Sequence, residues 1–486
     1  MLARVKDTLA SRRCSLPSPD TAQPRHGPFF TLLNKEWRDI LAGQTIWVLL
    51  LLVSLLVGYS YTQAVTLYGE ASKPAQQLPE VARSLSPLDG VFVPTFGALY
   101  LANTFLLPFI AIRSIASERQ TGGHKLLLQL PCWLSTIVTA KVVALLAVWL
   151  IATLPCLTVV ALWSSSGGHV GWAEVANLFL GHLLYAAVVV GISFVAAAVA
   201  ESSATAAILT LAATLGFWVL DFAAAGEGGL LKSLSNLSLT TLLRGFEQGV
   251  FSSITMFGAL IASAVLIIIA GILIDLRVTL AHKLLTSALA AVFAAGLAAG
   301  VAIRPLNVDT TEDGRNSFPP ADAATLAGLD KPLHVLVRLA PEDPRYIDFE
   351  RKVLSKLRRS VRDFAVTLQS DTRSGLFENS DTYGVMVYRY DGKQAESRST
   401  GEGEVLPLIY GLAGIERKAV ADRDPYPGYP LQARTDLAQV WFYGLLPLLI
   451  LAAWVLAHRQ ATAWPPRTSQ AIRSRIRTRR PFHGGM

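Results

Sequence analysis

Long runs of apolar residues, separated by polar segments, make up most of the chain. A helix that crosses a bilayer needs about 20 mainly apolar residues, and eight stretches meet that need. Only 16% of the residues are charged, against about 25% in soluble domains. We therefore predict a multi-pass α-helical membrane protein with about eight transmembrane helices, at 45–63, 93–113, 137–163, 175–200, 204–220, 254–274, 284–303 and 439–457.

The polar segment 304–436 is long enough to form a small domain. Its apolar residues alternate from Leu333 to Leu339, which indicates a half-buried strand. From Pro344 the spacing becomes that of a helix with one apolar face, formed by Phe349, Val353, Leu357, Val361 and Phe364. A second strand and a hairpin should follow, at Val366 and Leu368 and around Asp391-Gly392. The pattern predicts a small α/β domain.

These patterns divide the chain into six parts. They are an N-terminal segment (1–44), a six-helix unit (45–275), a linker with the seventh helix (276–303), the α/β domain (304–436), the eighth helix (437–458) and a basic tail (459–486).

Lysine and arginine are concentrated in segments that would lie on one side of the membrane, and this bias predicts orientation. Both the N-terminal segment and the tail are rich in these residues, so we place both termini in the cytoplasm and the α/β domain outside, in a cell inner (plasma) membrane. The net charge of +8 follows from the same bias, and no nucleic-acid partner is implied. The arginines of the tail are predicted to contact anionic lipid headgroups. They are Arg473, Arg475, Arg477, Arg479 and Arg480.

A charged, leucine-containing segment at 117–131 separates the second and third spans. Charged side chains are costly in hydrocarbon, and the leucines recur at helical spacing, so we predict an amphipathic helix at the membrane face that ends at Pro131. The adjacent Gly122 and Gly123 put its continuity in doubt. A simple interhelical loop remains the alternative.

This segment resembles the permeases of type-2 ABC exporters. They carry Glu-Arg-x-x-Gly-Thr-Leu-x-Leu-Leu-x-x-Leu-Pro here, with a lysine ten residues later. This chain departs from the pattern at Gly123 and His124. In that family the segment is a coupling helix that docks on a separate ATPase. The resemblance therefore assigns ATPase coupling to Glu118, Arg119, Gly122, Leu126, Leu127, Leu130 and Pro131.

Lys141 matches the lysine of that pattern, but its presence can also be explained without a role in coupling. It stands near the cytoplasmic start of the third span. A lysine there can extend its ammonium group to lipid phosphate.

The opening of the α/β domain resembles the extracytoplasmic domain of gliding-motility-type ABC auxiliary subunits. Two short segments carry this likeness, and together they cover about the first half of the domain. Their matching residues are Asp309, Thr311, Arg315, Ser317 and Phe318, then Leu329, Asp330, Pro332 and Val335. The resemblance implies a permease fused to a shortened auxiliary-like domain.

Catalytic and cofactor motifs are absent from the sequence. There is no P-loop, so any ATP hydrolysis belongs to another chain, and the histidines and cysteines show no metal-ligand spacing. We predict a non-enzymatic subunit without cofactor or metal. His182, inside the fourth span, is either a functional group, as intramembrane ionisable residues often are, or a neutral histidine hydrogen-bonded to a neighbouring helix.

Together these features predict the permease subunit of an ABC-type exporter, which couples ATP hydrolysis by a separate ATPase subunit to substrate movement. The predicted partners are that ATPase, a second permease in a homodimer or heterodimer, and membrane lipid. The alternative is an ATPase-driven mechanical or scaffold subunit of an envelope complex. An intramembrane enzyme is disfavoured because no paired catalytic residues occur.

The charge bias makes the topology testable. Single cysteines replacing Gly375 and Thr468 should differ in their reaction with a membrane-impermeant maleimide. In intact cells we expect labelling at 375 and none at 468; the reverse pattern would overturn the orientation.

Overall fold

Eight helices are long and apolar enough to cross a membrane, which confirms the predicted architecture. The computed structural model describes residues 27–127, 129, 132–223, 235, 238–303, 305–370, 382–416 and 426–462. The spans, numbered first to eighth, are Gln44–Ala75, Leu88–Gln120, Leu134–Ser165, Trp172–Val199, Ser203–Asp221, Ser253–Ile274, Leu280–Ala302 and Asp436–Arg459. Residues 1–26 of the N-terminal segment and the predicted basic tail from 463 onward lie outside the described residues.

Proline interrupts two of the spans. The second comprises a π-helical turn, Leu88–Phe92, followed by α-helices Val93–Phe105 and Leu107–Gln120. The third comprises Leu134–Ala152 and Leu154–Ser165. Pro108 and Pro155 stand at the start of the later segments, where a missing backbone N–H is tolerated. The eighth span likewise contains a π-helical turn, Trp441–Leu445, between Asp436–Val440 and Leu446–Thr462.

Short helices flank the spans. The N-terminal helix (Pro28–Ala42) precedes the first span, and the short helix (Gly123–Leu127) follows the second. Pro79–Ala82 lies between the first and second spans, and Leu239–Glu247 lies between the fifth and sixth. The N-terminal helix is amphipathic: Leu32 is buried in a cluster with Ile137 and Ala140 of the third span.

The main core of the membrane unit is formed largely by the first four spans. The eighth span joins it where Phe442 packs on the first span at Gly58. A Cβ at Gly58 would lie 2.4 Å from the Cβ of Phe442, so only glycine permits this approach. The seventh span, by contrast, is unburied over its most apolar stretch. Its surface is therefore available to lipid or to another chain.

The α/β domain has a core of its own and a four-stranded sheet in the order β4-β3-β5-β6. The strands are β3 Leu333–Val337, β4 Phe364–Leu368, β5 Met386–Tyr390 and β6 Lys393–Ser397. β3 and β4 are parallel; β5 is antiparallel to both β3 and β6. The helices are Pro320–Ala327, Pro344–Ser360 (with a π-helical turn at Glu350–Leu354) and Glu402–Ala413.

Most of the predicted pattern of this domain is found in the structure. Phe349, Val353, Leu357 and Val361 are buried together, as the helical spacing indicated. The hairpin turns at Asp391 and Gly392, both with positive φ, as a two-residue type I′ turn requires. The placement of Phe364 on the helix was wrong. The helix ends at Ser360, and Phe364 begins β4, where it pairs with Leu333.

Two chain segments tie this domain to the membrane unit, and neither was predicted. β1 (Val250–Ser252), just before the sixth span, pairs antiparallel with β2 (Asn307–Asp309), just after the seventh. At the other end of the domain, Ser72 of the first span accepts a bond from the Leu431 N–H at 3.0 Å.

Side chains strengthen this attachment. Arg315 forms an ion pair with Asp89 at the start of the second span. The His169 Nε2 lies 2.7 Å from a carboxylate oxygen of Glu312, and the His169 ring stacks on Tyr429 with 3.7 Å between centroids. The domain is therefore held at both of its chain ends.

Asp343 offers a test of the domain as a folding unit. Its carboxylate accepts hydrogen bonds from the Arg345 backbone (2.9 Å), the Arg345 guanidinium (2.8 Å) and the Tyr383 hydroxyl (2.8 Å). The hydrogen bond from the Arg345 side chain holds the pKa of Asp343 below its ordinary value of 3.8.

We expect residues 305–435, expressed alone, to unfold cooperatively, and Asp343→Asn to destabilise this fragment by about 1–2 kcal/mol at neutral pH. A carboxyl with a depressed folded-state pKa stabilises above its unfolded pKa and stops doing so as the pH falls. The difference should therefore shrink below pH 3.8 in urea titrations. Asp348→Asn, which removes an exposed pair with Lys352, is the control. Non-cooperative unfolding would contradict an independent fold.

Candidate functional site

The charged segment after the second span is not one continuous helix, so the prediction of a helix over 117–131 was wrong. The second span runs on to Gln120 and includes Glu118 and Arg119 in its last turn. The chain then turns at Gly122, whose φ is +75°, a left-handed conformation that favours glycine. A new short helix starts at Gly123. The doubt raised by the paired glycines was therefore justified.

Glu118 belongs to a buried ion network. The Lys141 ammonium lies 2.8 Å from a carboxylate oxygen of Glu36 and 3.0 Å from one of Glu118, and it donates to the Ser114 carbonyl at 2.8 Å. Glu36 and Lys141 are each 5% exposed in their side chains, and Glu118 is 14% exposed. The network connects the N-terminal helix, the second span and the third span.

Lys35 completes this network at its solvent edge. It pairs with Glu118 and lies 2.9 Å from Glu36. Burial alone would lower its pKa, but the hydrogen bonds and charges of Glu118 and Glu36 outweigh burial and raise the pKa above its ordinary value. Two lysines thus balance the two glutamates, as buried charges require because an unpaired one is costly; Lys35 also lies 3.4 Å from the exposed carboxylate of Asp39. We call Lys35, Glu36, Glu118 and Lys141 the ion network.

Arg119 points to the fourth span. One of its guanidinium nitrogens donates to the carbonyls of Ala197, Ala198 and Ala200 at 2.7, 2.9 and 3.1 Å. The last carbonyls of a helix have no partners within it and carry partial negative charge. Arg119 therefore caps the end of the fourth span from the neighbouring second span.

The end of the sixth span is held in a similar way. His124 Nε2 lies 3.1 Å from the Ile274 carbonyl oxygen, the last residue of that helix. Lys283, from the start of the seventh span, donates to the Leu273 carbonyl at 2.8 Å. The short segment 118–127 thus contacts the ends of two other spans and, through the ion network, the N-terminal helix.

The other predicted coupling residues have different surroundings. Leu126 is 67% exposed, whereas Leu127 packs against the cluster formed by Leu32, Ile137 and Ala140. Leu130 and Pro131 lie outside the described residues. The predicted site therefore has two parts. Glu118, Arg119 and Leu127 contact other elements of the chain, whereas Leu126 lies on an exposed surface.

The basic residues counted for the N-terminal segment include Lys35, but the sequence analysis predicted no role for Glu36. A signal was present, because Glu36 lies four residues after Leu32 and four before Ile40, on the apolar face of an amphipathic helix. The proposal that Lys141 reaches lipid phosphate is wrong: its ammonium is directed into the protein.

His182 does not make the hydrogen bond to a neighbouring helix that one of its two interpretations required. It is fully buried, with its ring 5.4 Å from that of Phe96, and neither ring nitrogen has a hydrogen-bond partner among the described residues.

Comparison with known families gives one match. The model of the ABC-2 family transporter protein matches residues 30–280, just over half of the chain. The chain belongs to the ABC-2 transporter family. No curated protein and no solved structure matches it at a significant level.

Family membership makes this chain a multi-pass membrane component of an ABC transporter. The matched region includes the whole ion network, the short helix and the first six spans. The α/β domain and the eighth span lie beyond it.

The ion network gives a prediction about stability. Lys141→Met leaves Glu36 and Glu118 with Lys35 alone as a shared cation and should destabilise the protein by about 3–5 kcal/mol, because one carboxylate charge is then buried without compensation. Thermal unfolding in detergent would show this. The further change Glu36→Gln should recover part of the loss.

Lys125→Met removes an exposed lysine from the same segment and serves as the matched control, with little expected effect. Equal melting temperatures for Lys141→Met and the wild type would show that the network does not stabilise the fold.

Proposed function

We propose that this chain is the permease subunit of an ABC-2-type exporter and that it couples ATP hydrolysis by a separate ATPase to substrate movement across the membrane. The observation that carries the proposal is the joint at residues 118–127. Through Glu118, Arg119 and His124, one short segment contacts the N-terminal helix, Lys141 of the third span and the ends of the fourth and sixth spans.

Such a joint suits the transmission of force. Glu118 and Arg119 lie in the last turn of the second span, so a displacement of the short helix acts directly on that span. The Arg119 bonds to three backbone carbonyls and the Lys141 bonds to two carboxylates would carry the displacement to the fourth and third spans. Coupling of this kind needs two states that the partner's nucleotide cycle favours differently.

The ATPase contact itself is proposed at the exposed side of the short helix. Lys125 and Leu126 are exposed, whereas the side chains of Glu118 and Arg119 are occupied within the chain. Glu118 and Arg119 are therefore positioning residues for the docking surface. This proposal refines the role implied by the resemblance, which assigned ATPase coupling to all seven residues alike.

The remaining parts of the assembly follow from the same proposal. The permease would form a dimer with a second permease in the inner membrane, with both termini in the cytoplasm and the auxiliary-like domain outside. Asp309, the first residue of the auxiliary-like motif, supports a structural role for that motif. It accepts bonds from Thr311, Asn316 and Ser317 and shapes the turn that leads into the domain.

The attachment of the domain also supports the alternative function. Because β1 and β2 join it to the sixth and seventh spans, movement of those spans would move the domain. A mechanical subunit that acts on an envelope partner would use the same connection.

Leu126→Asp tests the docking surface. A charge placed in an apolar contact should weaken binding of the ATPase about thirtyfold or more. The permease fold should persist, since the side chain is exposed. The measurement is the amount of P-loop ATPase that co-purifies with the tagged chain from native membranes, together with its ATP hydrolysis.

Leu78→Asp, at an exposed leucine between the first and second spans, is the control. Normal ATPase recovery with Leu126→Asp would place the docking surface elsewhere, and failure of any P-loop ATPase to co-purify with the wild type would contradict the function.

A further inference from the structure

A cleft of about 670 Å³ lies between the α/β domain and the end of the seventh span. One wall is the segment that leaves this span, with Ile303, Pro305 and Leu306; the other is the end of the domain helix and the loop after it, with Arg359 and Arg362. The cleft lies outside the region matched by the family model. It is also remote in sequence from the coupling joint.

The cleft has an excess of unneutralised positive charge. Among the described residues, four cationic ones line it, and two of them are paired: Lys356 with Glu402, and Arg358 with Glu350 at 2.9 Å. Arg359 donates one bond, to the Asn316 carbonyl at 2.7 Å, and Arg362 has no partner in the described part of the chain. Two guanidinium groups therefore retain donors for a ligand.

The acidic residue of the described cleft lining, Asp309, offsets one of the two unpaired positive charges, but no hydrogen bond from Arg359 or Arg362 to it is present among the described residues. Asp309 already accepts bonds from the Thr311 backbone and hydroxyl, the Asn316 backbone and the Ser317 hydroxyl. Arg359 is partly buried, and burial lowers its pKa, which Asp309 counteracts and Arg358 reinforces. A partly dehydrated guanidinium with free N–H groups is suited to an oxyanion, above all a phosphate.

The position of the cleft identifies the source of that phosphate. The seventh span ends at Ala302, and the cleft begins at the next residue. Ile303 and Leu306 are 78% and 58% exposed, so two large apolar side chains are exposed at the described part of the rim, where it meets the membrane. Lipid phosphates lie within the headgroup layer, about 5–7 Å deep on each face of the hydrocarbon. The cleft is therefore at the height of lipid headgroups.

We propose that this cleft binds the phosphate of an anionic phospholipid from the leaflet that faces the α/β domain, with Arg359 and Arg362 as the phosphate ligands and with Ile303 and Leu306 against the acyl chains. The bound lipid would fix the domain against the membrane surface beside the seventh span.

Photo-crosslinking of the full chain tests this. The protein is reconstituted in nanodiscs of phosphatidylcholine with a photoreactive phosphatidylglycerol, and crosslinked peptides are mapped by mass spectrometry. We expect adducts in residues 303–318 or 355–362. Arg362→Gln should reduce them about fivefold, the effect of one basic residue near an anionic surface, and Arg359→Gln with Arg362→Gln should reduce them further.

Arg351→Gln is the matched control, since Arg351 is exposed on the same helical segment and does not line the cleft. Arg362 is exposed, so its replacement leaves the fold intact even if Arg359→Gln does not.

Cleft adducts that persist unchanged in Arg362→Gln, or that form equally with photoreactive phosphatidylcholine, would overturn the proposal. Loss of the adducts on addition of inorganic phosphate, without a preference for phosphatidylglycerol, would also overturn it, because the cleft would then take a soluble anion. The outcome is independent of ATPase binding at Leu126.

Discussion

The arrangement of the membrane unit around residues 118–127 depends on the pairing of buried charges. Lys141 can be placed inside the helix bundle only because Glu36 and Glu118 approach it from two different elements. Removing any one of the three would leave a charge in a medium that stabilises it poorly. This requirement fixes the N-terminal helix, the second span and the third span relative to one another.

The same principle explains how the segment 118–127 is held. Helix ends present carbonyls without partners, and Arg119 and His124 supply partners to the fourth and sixth spans. His124 departs from the usual leucine of type-2 exporter permeases, yet here it has a structural contact. In a bundle of apolar helices, polar contacts of this kind between helices favour one arrangement over others.

The α/β domain is attached by a different kind of interaction. Backbone pairing of β1 with β2 and side-chain pairs such as Arg315 with Asp89 join the domain to the ends of several spans. The basic cleft results from this attachment, because it brings the exit of the seventh span against the domain helix. Attachment and lipid contact would together limit the orientations available to the domain.

Local sequence patterns determined the eight spans, the strand at Leu333–Val337, the helix from Pro344 and the hairpin at Asp391-Gly392. These depend on local periodicity and turn chemistry, which a single sequence displays directly. The charged segment around Glu118 could be located in the same way, and the paired glycines marked the break within it; its candidate role came from the resemblance to type-2 exporter permeases.

Only the tertiary structure decided which of these residues and elements contact one another. The sequence does not show that Glu36 meets Lys141 from 105 residues away, that Arg119 reaches the fourth span, or that β1 pairs with β2. Phe364 was misplaced for a related reason: helical spacing continues past Ser360, and only its pairing with Leu333 assigns it to a strand. Buried ion pairs and strand pairing depend on distance in space, which residue order alone does not set.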